Sequence, residues 1–237
     1  MQPLYCKMKK FLVYIFIALS LSTQLFAQED TLSITPEIVL NDGVYLSFKD
    51  LQTNTPLTKE NISSDADKTQ ADFISKTLTN YKEIIFRYKG SQYRADVTKV
   101  WGYCQNGTLY INYKGQFCRV PLFGNISNFF ATVVVTVYVS NYGGYGGGFY
   151  GGGMGYGMNQ SVPVKQNETH QFLFDFKAGE INEYTPAYFE SLLIRDIKLY
   201  AQYMDLKRKK RKELMMLYIR RFNTNHPVVF LDPQSGQ

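Results

Sequence analysis

The sequence predicts an α+β fold in which an antiparallel, strongly curled β-sheet or open barrel is followed by two or three C-terminal helices packed on it. Three observations lead there. Polarity alternates with period two through much of the stretch from Gly43 to Val139, tight-turn dipeptides punctuate it, and after Gly179 the apolar spacing changes to three and four. Strands gathered first and helices gathered after them characterise this fold class. With 45% apolar and 19% charged residues, the 237-residue chain has globular composition, which excludes collagen-like, coiled-coil and wholly disordered architectures.

Residues 1–27 read as a secretory signal peptide: Lys7, Lys9 and Lys10 precede an apolar run from Phe11, and the small residue Ala27 precedes Gln28-Glu29-Asp30. The run from Phe11 to Leu19, which includes Tyr14, is shorter than the roughly 20 residues a spanning helix needs. Cleavage removes three lysines, so the formal charge of +6 falls to +3 over residues 28–237. The overall charge therefore makes a poor argument for nucleic acid.

A β-rich domain is expected over residues 28–180. Gly43 to Phe48 is strand-like, Thr53 to Lys68 reads as a polar loop, and Ile84, Phe86 and Tyr88 alternate before the turn Lys89-Gly90-Ser91. Asn106-Gly107 and Lys114-Gly115 are hairpin turns. Taken as two-residue turns, they set Cys104 opposite Leu109 and Leu109 opposite Val120, with Gly102 opposite Ile111 and Ile111 opposite Cys118. One face then carries Val100, Gly102, Cys104, Leu109, Ile111, Cys118 and Val120 and is the expected core. Trp101, Tyr103, Tyr110, Asn112, Phe117 and Arg119 form the other, which is either covered by the C-terminal helices or offered to a ligand. The same register separates Cys104 from Cys118 by two strands and two residues, about 9.5 Å by roughly 7 Å. A disulfide needs Cα atoms within about 7 Å, so the pair reads as two buried thiols unless curvature or a bulge alters the register.

Phe129 to Ser140 is the longest strand, with Phe129, Ala131, Val133, Val135, Val137 and Val139 on one face. Its length suits a transmembrane β-strand. The short neighbouring strands and the helical C-terminus argue against a membrane barrel. Residues 141–157, holding 10 of the 18 glycines, read as a Gly/Tyr-rich hairpin tip leading into the strand Gln171 to Phe176. Gly146, Gly148 and Gly151 match a dinucleotide fingerprint in spacing, but the following Met158 to Pro163 cannot open the helix that would hold a pyrophosphate.

Helices occupy residues 181–226. Thr185-Pro186 caps the first, Asp196 caps a second containing Leu199, Tyr200, Tyr203 and Met204, and a third buries Met215, Tyr218, Ile219 and Phe222 before Pro227 closes it. Residues 227–237 form a tail. The run Lys207 to Lys212 either joins the last two helices or begins the third. Cations at a helix N-terminus oppose its macrodipole, which suggests one continuous helix or a binding role.

Several segments together resemble a family of uncharacterised exported proteins from Bacteroidetes: Gly43 to Asp50, Val100 to Tyr103, Leu109 to Tyr113, Phe172 to Phe176 and the tail Tyr218 to Asn223. Where this chain has Phe222-Asn223 the family more often has Tyr-Asn, and its variable Gly/Tyr-rich insert corresponds to residues 141–157. The resemblance implies Gram-negative export. It implies no activity and carries over no site residue.

The chemistry available to the chain is sparse. His170 and His226 are its only histidines, and no His/Cys pair has zinc-ligand spacing, so neither a metal nor another cofactor is expected. Glu180 and Glu183 read as solvated acids between strand and helix. Binding is the favoured role, through the aromatic face of Trp101, Tyr103, Tyr110 and Phe117, through the Gly/Tyr tip, or through Lys207, Arg208, Lys209, Lys210, Arg211 and Lys212. The run suits an anionic envelope component or an acidic protein. Nucleic acid is disfavoured, since no recognition motif accompanies the charge. Neutralising the whole run is expected to leave the fold intact. The expected protein is thus exported, non-enzymatic and periplasmic, envelope-associated or extracellular. The alternatives are a hydrolase, which a pocket gathering His170 with Glu, Asp or Cys104 would favour, and a structural envelope component associating through the edge of the 129–140 strand or the tip.

Overall fold

The computed structural model describes residues 39–140 and 161–233, so residues 1–27 and 141–157, read above as signal peptide and hairpin tip, lie outside the described residues. In chain order the elements are β1 (Gly43–Tyr45), α1 (Phe48–Gln52), β2 (Ile62–Ser63), α2 (Phe73–Asn80), β3 (Glu83–Tyr88), β4 (Ser91–Asp96), β5 (Gly102–Gln105), β6 (Thr108–Tyr113), β7 (Gln116–Arg119), β8 (Ile126–Ser140), β9 (Ser161–Asp175), β10 (Glu180–Glu183), α3 (Pro186–Leu193), α4 (Ile197–Met204) and α5 (Arg208–Asn225). Among the described residues the fold mixes antiparallel sheets with five helices, three of them C-terminal.

The expected single curled sheet or barrel is instead three separate sheets, ordered β1-β5-β6-β7, β10-β9-β8 and β2-β3-β4, and none of them closes among the described residues. The meander register is the one the turns dictate: Cys104 opposes Leu109, Gly102 opposes Ile111 and Ile111 opposes Cys118. Asn106, Gly107, Lys114 and Gly115 all have φ between 52° and 86°, as two-residue hairpin turns require.

Both faces of the four-stranded sheet pack on a core, because successive side chains on each strand enter different cores. Tyr45, Cys104, Leu109, Ile111 and Cys118 pack with Phe129, Phe172 and Phe174 of the β8–β9 hairpin. Val44 and Tyr103, with Tyr110 and Phe117, pack instead with Phe73, Ile74 and Leu78 of α2 and Ile84 and Phe86 of β3. The stretch from Thr53 to Lys68, read as a loop, contains a 3-10 turn at Lys59–Asn61 and β2. The strand expected to reach Phe48 stops at Tyr45, because Ser47 and Asp50 form a reciprocal capping box that starts α1.

The three C-terminal helices cover the hairpin rather than the meander: Phe189, Leu193, Leu199, Tyr203, Ile219 and Phe222 pack with Ile126 and Leu173. Both expected caps form, with Thr185 accepting from the Tyr188 N–H and Asp196 from the Leu199 N–H. Two polar clamps fix this layer. Asn223 pairs with both backbone groups of Ile126, at 2.9 and 2.8 Å, and a Cβ at Gly124 would overlap its side chain. Arg195 makes a forked ion pair with the nearly buried Asp175, Nη1 to Oδ1 at 2.9 Å and Nη2 to Oδ2 at 2.5 Å.

Candidate functional site

α5 begins in the basic run. Lys207 occupies its N-cap position without a capping side-chain bond, and no acid lies in its first turn. α4 ends at Met204, so the continuous helix that would relieve the dipole conflict does not form. The six cations then divide by environment. Arg211 folds back onto α3, its Nη1 2.7 Å from Glu190 Oε1, while its backbone carbonyl accepts from the Tyr203 hydroxyl at 2.9 Å. Lys210 pairs with Glu213 at 2.8 Å, and that hydrogen bond and charge hold its ammonium above the usual range. Lys207, Arg208, Lys209 and Lys212 are exposed and have no ion-pair partner among the described residues. Arg211 is therefore anchored to α3, unlike the four displayed cations.

The four aromatic candidates do not form one surface. Tyr103 stacks on Tyr110 with centroids 4.6 Å apart and meets Phe117 edge-on at 5.2 Å, inside the core capped by α2. Burial, then the neighbouring Tyr110, pushes the Tyr103 phenol up to about 12. Trp101 lies in the other core, 5.6 Å from Phe48 and 5.5 Å from Phe174. Val100 is displaced in the opposite sense, packing with Tyr103 rather than with Cys104. A 3-10 turn at Val97–Lys99 ends just before these two residues, which link it to β5, and interrupts the alternation that the sequence pattern extends back through them. Tyr103 is buried and Trp101, Tyr110 and Phe117 are half-buried, divided between two cores, so the four do not make one continuous aromatic platform.

Cys104 and Cys118 are both free and buried. The Cys104 thiol donates to Asp42 Oδ1 at 3.3 Å, and burial, followed by that carboxylate, pushes it up to about 12. A thiol so held is no nucleophile at neutral pH. Asp42 also accepts from the N–H groups of Asn106 and Gly107, so it buttresses the β5–β6 turn.

Two clefts open among the described residues. The larger, about 550 Å³, lies between β2, β3 and α2, and its charged lining mixes Glu60, Asp65 and Glu83 with Lys68 and Arg87. The smaller, about 350 Å³, gathers Tyr113, Lys114, His170, Asn182 and Glu183 beside the valines of β8. There His170 lies between two carboxylates, its Nε2 3.1 Å from Glu168 and its Nδ1 3.7 Å from Glu183. Sequence reading placed His170 beside a strand; Glu168 is its neighbour along β9 itself, and Glu183 reaches it only once β9 and β10 pair. Among the described residues no group of three or more His, Cys, Asp or Glu could hold a metal ion, and no helix is long and apolar enough to cross a membrane.

Residues 43–226 match the profile of a family of unknown function, DUF6563. No curated protein and no solved structure matches the chain.

Proposed function

The chain belongs to this family of unknown function, and we propose from its own surface that it is an exported, non-enzymatic binding protein of a Bacteroidetes cell envelope that docks on an anionic surface through the start of α5. One observation carries the reading: Lys207, Arg208, Lys209 and Lys212 are exposed at a helix start, with no acid in its first turn and no ion-pair partner among the described residues. The local dipole disfavours that placement, and an anion would relieve it. Clustered cations near an anionic membrane contribute about 1 kcal/mol each, so the four together suffice for reversible docking without an apolar anchor.

The test is co-sedimentation with anionic and with uncharged phospholipid vesicles at two salt concentrations. Binding to anionic vesicles that weakens with salt and falls at least tenfold when Lys207, Arg208, Lys209 and Lys212 are all replaced by Gln is the expected result. Equal binding to both vesicle types, or none to either, rejects the reading, and an acidic protein cross-linked through the same cations would replace the lipid with a protein partner.

The His170 cleft supports the alternative, a hydrolase, because its lining joins an imidazole to the Glu183 carboxylate, with Glu168 against the other ring nitrogen. Neither Cys104 nor Cys118 lines that cleft. Ester or peptide hydrolysis that disappears in His170→Ala would move the reading there.

A further inference from the structure

The β8–β9 hairpin runs as one unbroken ladder from Ile126↔Asp175 to Ser140↔Ser161, yet its outer half has open edges of unequal character. Near its base the free edge of β8 is already satisfied. Gln116 holds Thr132 through its side-chain amide, donating from Nε2 to the Thr132 carbonyl at 3.1 Å and accepting from the Thr132 N–H at 3.3 Å. Both backbone groups of Thr132 therefore point away from β9. By the alternation of an antiparallel ladder, so do those of Val134, Thr136 and Tyr138, and for these no backbone or side-chain partner exists among the described residues.

The two edges of the arm are protected differently. On β9 the outward-facing positions opposite Tyr138 and Thr136 are Pro163 and Lys165. Proline presents no N–H and lysine is a common guard on exposed edges. On β8 nothing from Phe129 to Ser140 is charged and none is proline. Val134 and Tyr138 are 66% and 71% exposed, and Val139 is 49% exposed. An unguarded, apolar, uncharged edge of this kind is a template for another strand.

We propose that β8 pairs antiparallel with β8 of a second copy of this chain, about a two-fold axis through Thr136, to give a continuous sheet ordered β9-β8-β8-β9. This register sets Val134 opposite Tyr138 of the partner copy and Thr136 opposite its own equivalent, using every outward N–H and C=O of those three residues. It also sets Val135 opposite Val137, and Val133 opposite Val139, on one face. The even register keeps like faces together, so the valine stripe is doubled instead of being turned over. The absence of charge makes a second copy the fitting occupant, since self-pairing brings no like charges into opposition. Because the β9 edge is guarded, the contact is isologous and closes at two copies. A single strand edge is smaller than the roughly 800 Å² per partner of a standard interface, so the association is weak and reversible.

Sedimentation velocity across a concentration series tests this on the chain as its own cells process it, purified without detergent. A reversible monomer–dimer equilibrium is expected, with at least a tenfold weakening in Thr136→Pro, which removes the central outward N–H without touching the β8–β9 ladder. If that variant does not fold, Thr136→Lys, which opposes two cations across the axis, must weaken the dimer to the same degree. Under oxidising conditions the double variant V135C/V137C should become a covalent dimer, whereas Lys165→Cys should not. A monomer throughout the series, a dimer indifferent to the Thr136 variants, or open-ended oligomers would each overturn the proposal.

Discussion

The two halves of the β8–β9 hairpin share one ladder and one alternating pattern, but they live in different environments. At the base, Phe129, Leu173 and Phe174 have no measurable exposure, held between the meander on one side and the C-terminal helices on the other. Toward the outer end, Val134 and Tyr138 are largely exposed. Strand formation is a local property of β-branched and aromatic residues, whereas burial depends on a second layer that covers only the base. Stability therefore concentrates where layers meet, and the outer half is left as contact surface.

The most direct way to break this comparison is to truncate one aromatic in each half. Phe174→Ala opens a cavity in the core between the sheets and is expected to cost about 3–5 kcal/mol in urea unfolding. Tyr138→Ala should stay within about 0.5 kcal/mol, as surface changes do. Similar losses from the two variants would mean that the outer half is packed after all.

The register of the meander was legible in the sequence because Asn106-Gly107 and Lys114-Gly115 specify it over four residues each, and the helix caps at Thr185 and Asp196 were legible for the same local reason. The second cover of the sheet was not. α2 spans only eight residues, and although Phe73, Ile74, Thr77 and Leu78 recur at helical spacing, nothing in so short a segment says which sheet face they cover. Trp101 was assigned to the wrong core because the alternation was extended back toward the 3-10 turn at Val97–Lys99. For the candidate site, the sequence located the basic run, but Arg211's partner, Glu190, lies 21 residues away on another helix, and this hid which cations are free.

A smaller effect sharpens the comparison at the joint between helix and hairpin. Asn223→Ala removes both partners of the buried Ile126 backbone groups. With two buried polar groups left unsatisfied, the expected loss is about 2–4 kcal/mol, read from the midpoint of chemical denaturation. Asn223→Asp should recover none of the donor function, because a carboxylate can accept from the Ile126 N–H but cannot donate to its carbonyl. An alanine variant as stable as the parent would detach the Phe222-Asn223 motif from the fold.

The same division between anchored and displayed side chains applies within the basic run, where it is expected to have its smallest energetic effect and its clearest functional one. Arg211 and Glu190 are each about three-quarters or more shielded, at 19% and 25% side-chain exposure, so Arg211→Gln leaves a poorly solvated carboxylate short of a charged partner. A loss of about 1–3 kcal/mol follows from removing a hydrogen bond to a charged group. Lys212, exposed on the same helix, has no such bond, and Lys212→Gln should change stability by less than about 0.5 kcal/mol. Docking on anionic vesicles should rank the other way, with Lys212→Gln weakening it while Arg211→Gln, measured below its own unfolding temperature, has the lesser effect. If both variants weaken docking equally and neither alters stability, Arg211 is displayed in solution, and the run acts as a single cationic patch.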